Sequence, residues 1–184
     1  DNILSLDLLS KEEFEKSIEF DLEGSPTALL TFHPVTLDFS SAEEQFKEVL
    51  AALSARSEMK IIFTMPNSDT DGRVIIKMIN DFVVKNPKRC KAFVSLGQLR
   101  YLSALKHVDL VIGNSSSGLV EAPSFKIPTI NIGDRQRGRI KAASVINCHP
   151  TKSSVGQALN LAFDPNFRVS LQTLENPYGE AGAS

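Results

Sequence analysis

The stretch LVIGNSSSGLVEAPSFKIPTINIGDRQRGR, residues 110–139, decides the fold. It opens on a short apolar run at 110–112 and passes through a turn of small polar residues at 113–118. A segment of helical spacing follows at 118–125, and the chain then returns to a second apolar run at 129–132. A buried strand, a turn, a helix and another buried strand make one βα unit of a parallel sheet. The same alternation extends outward on both sides. Runs at 28–32, 60–64, 92–94 and 144–147 bring the expected strands to six. Each is short and nearly continuous in hydrophobicity, as strands covered on both faces are.

The helices are read from spacing. Within 42–56, Phe46, Val49, Leu50 and Leu53 form one apolar stripe, and Ser41 with Glu44 three residues on predicts a capping box. Within 72–84, Val74, Ile75, Met78, Ile79 and Phe82 repeat the pattern until Asn86-Pro87 stops it. Residues 99–106, 118–125 and 155–163 are shorter candidates, and 8–20 is a preliminary helix with Phe14 and Ile18 on one face. The tail from Asn176 to Ser184 has no large apolar residue after Tyr178 and is expected to be extended or frayed.

Composition narrows the function classes. The chain has 184 residues, 42% of them hydrophobic, with 20 Lys+Arg against 22 Asp+Glu and a formal net charge of −2. That balance lacks the basic excess of a nucleic-acid binder, so an anion site must be local. No apolar run approaches the roughly 20 residues that span a bilayer, and the opening at Asp1 carries no basic and apolar leader. The expectation is a cytoplasmic protein with no membrane partner. Cys90 and Cys148 are too few for a disulfide framework and read as packing residues, and His33, His107 and His149 form no metal-binding spacing.

In an open parallel sheet, ligands bind beyond the carboxyl ends of the strands, so the segments just after each strand carry the chemistry. Four are unusually polar: 31–36, 64–69, 113–118 and 133–139. Unpaired amides and serine hydroxyls at 115–118 suit a phosphate, although an ordinary serine N-cap reads the same way. Glu121 lies one turn on, as a ribose ligand or simply as a first-turn carboxylate. Arg135, Arg137 and Arg139 are either solvated or face an anion, and no aromatic platform suggests nucleic acid. His33, followed by Pro34, is a proton shuttle or a hydrogen-bonded strand-end residue. Asn67 is a turn-former or a ligand contact. His107 and His149 read as structural. No nucleophile elbow, Walker lysine or GxGxxG run is present. The residues by themselves reach half of a nucleotide or phosphate site.

Thr31-Phe32-His33-Pro34-Val35-Thr36, Pro66-Asn67, the block 112–139 and Asn176-Pro177-Tyr178-Gly179 together resemble the UDP-N-acetylglucosamine 2-epimerases. The likeness is greatest to the hydrolysing type that feeds sialic acid synthesis. It implies a Rossmann-like α/β fold, a parallel sheet flanked by helices, forming the second lobe of the two-lobed glycosyltransferase-B arrangement. Residues 1–184 then correspond to the C-terminal nucleotide-binding lobe, with a core at about 25–175 and a hinge or tail at 176–184, and the N-terminal lobe is absent.

Position by position, the resemblance implies that Ser115 and Ser116 hold the diphosphate of UDP, with Ser117 and Gly118 completing the loop. Glu121 binds the ribose, Arg135 approaches the phosphate and sugar, and Asn67 contacts the nucleotide side. His33 assists UDP departure, and the Phe93-Val94 segment presents backbone groups to uracil. Arg137 and Arg139 receive no role. The implied reaction eliminates UDP from UDP-N-acetylglucosamine and adds water to give N-acetylmannosamine, with no metal and no cofactor. The C2 acid and base belong to the other lobe, so the isolated lobe is expected to be inactive and the full-length protein homo-oligomeric. Two alternatives stay open: a related UDP-diacetamido sugar of legionaminic acid synthesis as substrate, or the donor lobe of a glycosyltransferase. A stand-alone nucleotide sensor is a third.

Overall fold

The computed structural model describes residues 7–35 and 41–179. The expectations placed on Thr36 and on residues 180–184 lie outside them. Six strands, β1 (Thr27–Thr31), β2 (Lys60–Thr64), β3 (Cys90–Phe93), β4 (Leu110–Gly113), β5 (Thr129–Ile132) and β6 (Val145–Cys148), form one sheet in the order β3-β2-β1-β4-β5-β6. Every pairing is parallel. The order reverses between β1 and β4, where Thr31 pairs with Gly113, and a doubly wound sheet opens its ligand crevice at such a point.

Alternation within each strand divides the core into two layers. Leu30, Phe63 and Ile112 pack on one face with Phe46 and Val49 of α2 (Ala42–Ser54), Ile75 and Ile79 of α3 (Thr70–Lys85), and Val155 and Leu159 of α6 (Lys152–Ala162). Leu29, Ile62 and Val111 pack on the other with Phe14 and Ile18 of α1 (Lys11–Ile18) and Leu102 and Leu105 of α4 (Gly97–His107). Both neighbours of a strand residue are thus buried, which is why these strands read as unbroken apolar runs. The capping box at Ser41 is present, with the Glu44 amide donating to Ser41 Oγ at 3.1 Å.

Two expectations are corrected, and one segment without an expectation is assigned. The helix expected at 118–125 is a single α turn, α5 (Ser117–Val120), followed by a 3-10 turn at Ala122–Phe125. Pro123 lacks the amide that would continue the α pattern and disfavours helical geometry at the residue before it. The segment 165–173, unassigned from spacing, forms α7 (Pro165–Ser170) and a further 3-10 turn, Leu171–Thr173. Asp164 caps α7 by accepting from the Phe167 amide at 2.9 Å. The start of the tail is tied down rather than frayed. Buried Asn176 donates through Nδ2 to the Val120 carbonyl and to Ser124 Oγ, both at 2.8 Å, and Tyr178 donates to the Ile140 carbonyl at 2.7 Å.

Smaller shifts occur at element ends. Strand β3 starts two residues early and leaves Val94 exposed, and β6 starts and ends one residue late. Helix α1 is confined to Lys11–Ile18 because Glu19 takes a left-handed φ of 53°. Cys90 is buried and Cys148 half-buried, and both are free thiols. His107 is structural, with Nε2 bonded to the Leu9 carbonyl at 2.7 Å and its ring stacked on Phe14. His149 is exposed instead, and its backbone is what is engaged: its amide donates to Ser154 Oγ and its carbonyl accepts from the Thr151 amide. Among the described residues, no helix is long and apolar enough to cross a membrane.

Candidate nucleotide site

The carboxyl ends of β1 and β4 are held close by Gly113. At φ +141°, this residue brings its backbone so near β1 that a Cβ would lie 1.8 Å from the Thr31 carbonyl oxygen. Asn114 follows, 2% exposed. Its Oδ1 accepts from the His33 amide at 2.7 Å, and its Nδ2 donates to the His33 carbonyl at 2.8 Å. His33 therefore sits half-buried at the switch point, as its place after β1 predicts.

Ser115, Ser116 and Ser117 are half-buried beside it and Gly118 is buried. Among the described residues, the Ser115 and Ser116 amides donate to nothing and the Ser116 hydroxyl has no partner. Partly buried donors without partners are poised for an anion. Helix α5 is one turn long, so the local amides carry this capacity and an extended helix dipole does not. Gly118 must stay small, since a Cβ there would lie 2.7 Å from Thr129 Cγ2.

Arg135 comes from the loop after β5. Its Nη1 donates to the Asn114 carbonyl at 3.0 Å, a carbonyl that buried Gln136 also engages through Nε2 at 3.0 Å. Arg137 and Arg139 are exposed and have no described bond to the serine loop. Arg137 instead helps line a separate cavity of about 320 Å³ with Lys141 and His149.

A cavity of about 400 Å³ is lined by Thr64 at the end of β2 and Met65 after it, Val94 to Leu96 after β3, Gly97, Gln98, Tyr101 and Leu102 of α4, and Glu121. Glu121 is half-buried, and burial raises its carboxyl above the usual range. Tyr101 shares a hydrogen bond with the Ser117 hydroxyl. Burial is also the main reason its phenol titrates above the ordinary tyrosine value. The Tyr101–Ser117 bond ties the serine turn to a pocket with an apolar wall and one carboxylate. Asn67 is exposed after β2 and is not among the residues lining that cavity.

Two residues escape the sequence reading. Asn114 carries the signal of a polar residue directly after a buried strand. Tyr101, one of two tyrosines in the chain, sits among Leu99, Leu102 and Leu105 and reads as helix packing.

Burial first, and Arg135 second, hold the His33 imidazole below its ordinary value of 6.5. The unfolded chain therefore binds more protons than the folded one around and below that value. The resulting stability is complete above 6.5 and is lost as pH falls through it toward the folded value. A His33→Gln variant is expected to show a flatter loss, and urea midpoints measured on both sides of 6.5 check it. Equal slopes in the two proteins overturn the assignment.

The profile of the UDP-N-acetylglucosamine 2-epimerase family matches residues 1–184. GDP/UDP-N,N'-diacetylbacillosamine 2-epimerase (hydrolyzing) of Campylobacter jejuni is 38% identical over 145 residues, 79% of this chain and 38% of that protein. Polysialic acid biosynthesis protein P7 of Escherichia coli is 35% identical over 184 residues, 100% of this chain and 46% of that protein. The chain thus spans less than half the length of these relatives. The solved structure of UDP-GlcNAc 2-epimerase from Neisseria meningitidis bound to UDP-GlcNAc superposes with a TM-score of 0.68 at 16% identity, covering 92% of this chain and 44% of that one. A sucrose-phosphate synthase and a starch synthase share the architecture at TM-scores of 0.55 and 0.57. The fold is the Rossmann-like lobe common to epimerases and glycosyltransferase-B enzymes, and by the match along its whole length this chain belongs to the UDP-N-acetylglucosamine 2-epimerase family.

Proposed function

We propose that this chain is the UDP-binding lobe of a hydrolysing UDP-N-acetylglucosamine 2-epimerase, with its core at about 25–175 and a second lobe closing over the same crevice. One observation carries the reading. The unpartnered Ser115 and Ser116 amides, His33 and Arg135 meet at the switch point, next to a cavity of nucleoside size that holds Glu121. In this reading the diphosphate lies on the serine turn, the ribose diol on Glu121, and the base between Met65 and the chain after β3. Arg135 and the amides stabilise charge as it develops on the departing UDP. With its pKa lowered by burial and by Arg135, His33 takes or relays a proton on that side in this reading. The groups that act on the sugar C2 come from the opposite lobe, so this lobe alone binds without turning over.

Two experiments test the proposal. Calorimetric titration of the chain with UDP is expected to give saturable binding that Ser116→Ala weakens about tenfold, the usual loss for one hydrogen bond to a charged group. Identical isotherms for the two proteins overturn the site. Full-length protein supplied with UDP-N-acetylglucosamine and no acceptor is expected to release N-acetylmannosamine and UDP. Turnover that depends on an acceptor assigns the lobe to a glycosyltransferase. The identity to the Campylobacter jejuni protein makes a UDP-diacetamido sugar the second substrate to supply.

A further inference from the structure

We infer that Asn114 is a positioning residue that binds the His33 loop and the Arg135 loop into one anion-facing unit, an inference that rests on the reading of this site given above. The two loops follow β1 and β5, which are not neighbours in the sheet. What lies between them is the end of β4, and Asn114 is the residue there that touches both. Its side chain takes the amide and the carbonyl of His33, closing a two-bond clamp on that backbone. Its carbonyl takes Arg135 Nη1 and Gln136 Nε2. All four bonds are between 2.7 and 3.0 Å, and Asn114 and Gln136 are both buried.

The residue type follows from the geometry. Clamping a peptide from one side needs a donor and an acceptor on a short planar group, which among side chains of this length only asparagine offers in neutral form. Aspartate would set a carboxylate oxygen against the His33 carbonyl, and serine could satisfy only one of the two groups. Gly113 carries the chain past Thr31, so Asn114 reaches β1 with no spare length. Among the described residues, the charged and titratable groups that meet at this clamp are His33 and Arg135, and the guanidinium is close enough to depress protonation of the imidazole. A site that stabilises charge gains most when its groups are fixed before the ligand arrives.

The test is a double-mutant cycle that needs no ligand. Histidine-labelled full-length protein is titrated by NMR, and the His33 pKa is measured for wild type, Arg135→Ala, Asn114→Ala and the double variant. Arg135→Ala is expected to raise the His33 pKa in the wild-type background and to raise it less once Asn114 is alanine, which frees the His33 backbone while keeping the carbonyl that holds Arg135. An equal rise in both backgrounds overturns the inference, because a merely structural asparagine would leave the two groups coupled wherever the fold survives. Should Asn114→Ala not fold, Asn114→Ser replaces it in the same cycle with the same two outcomes. UDP affinity, measured in parallel, is expected to fall about tenfold in the Asn114 variant. Coupling in a protein that does not bind UDP supports the positioning role and removes the nucleotide reading. UDP binding with no change in coupling retains that reading and removes the role of Asn114.

Discussion

Gly113→Ala is expected to destabilise the protein by roughly 3 kcal/mol or more, the range in which a backbone clash adds to a left-handed conformation. The new Cβ would lie 1.8 Å from the Thr31 carbonyl oxygen and 2.8 Å from its carbon, both backbone atoms that cannot rotate away. Relief requires β4 to move off β1, the pair at the centre of the sheet, with Leu30 and Ile112 on one face of it and Leu29 and Val111 on the other. Gly133 supplies the control. It also has a positive φ, 75°, yet nothing lies within 4 Å of its would-be Cβ. Gly133→Ala should therefore cost only about 1 kcal/mol, from conformation alone. Urea unfolding of the two variants separates clash from conformation, and equal midpoints would show that the close approach of β4 to β1 is wrong. In thermal unfolding the Gly113 variant is expected to lose roughly 6–12 °C, given a few degrees per kcal/mol for a domain of this size. Surviving Gly113→Ala protein should also lose UDP binding, since Asn114 and the serine turn hang from the displaced strand end.

Glu121 is expected to separate stability from binding. Burial without a compensating cation raises its carboxyl pKa above 4.5, so the folded state holds the proton more tightly than the unfolded chain does. The favourable contribution is present below the ordinary value and is lost as pH rises through the folded one. At neutral pH the ionised group is thus a net cost to the free lobe. Glu121→Gln should raise the melting temperature of the ligand-free protein near neutral pH, and the gain should vanish in acid. The same change should weaken UDP about tenfold, and Glu121→Ala by ten- to a hundredfold, because a carboxylate bridging a diol makes two charge-assisted hydrogen bonds. Melting curves with and without UDP measure both effects on one sample. A variant that is stabilised and still binds UDP as wild type does would move Glu121 out of the site. A variant that is destabilised at neutral pH would remove the burial argument. The Ser117–Tyr101 hydrogen bond, part of the same wall, should persist in both substitutions.

The inner strands β1, β2, β4 and β5 were legible because burial on both faces leaves a local trace, and the edge strands β3 and β6, mostly half-buried, were legible from their apolar residues alone. Residues between two helical layers are mostly apolar, and the Ile61-Ile62-Phe63 run of β2 announces itself. The capping box at Ser41 was legible for the same reason, as the interaction spans three residues. The break at Pro123 and the cap at Asp164 are equally local, and the residues that cause them are in plain view. They were missed because spacing outweighed proline in one case and no apolar stripe marked the other.

Site residues divide along the same line. His33, the serines, Glu121 and Arg135 were legible as polar groups following buried strands, a placement that the α/β pattern turns into a shared edge. Asn67 shares that placement and is exposed on the turn from β2 into α3; of the residues singled out from the sequence, Glu121 is the one that lines the 400 Å³ cavity. The anchoring of Asn176 on Val120 and Ser124 joins residues more than fifty positions apart and left no mark in its neighbours.

From its amino acids alone this protein declares a layered α/β lobe, the strand ends where a phosphate could rest, and a resemblance that names the family. Local patterning carries all of that, since helix period, strand burial and turn chemistry act over a few residues. Only the tertiary structure decides that β1 and β4 are neighbours, that Gly113 lets them approach, and that Asn114 clamps His33 to the strand that also receives Arg135. Those contacts follow from strand order, and strand order is a free-energy minimum of the whole sheet that no window of sequence contains.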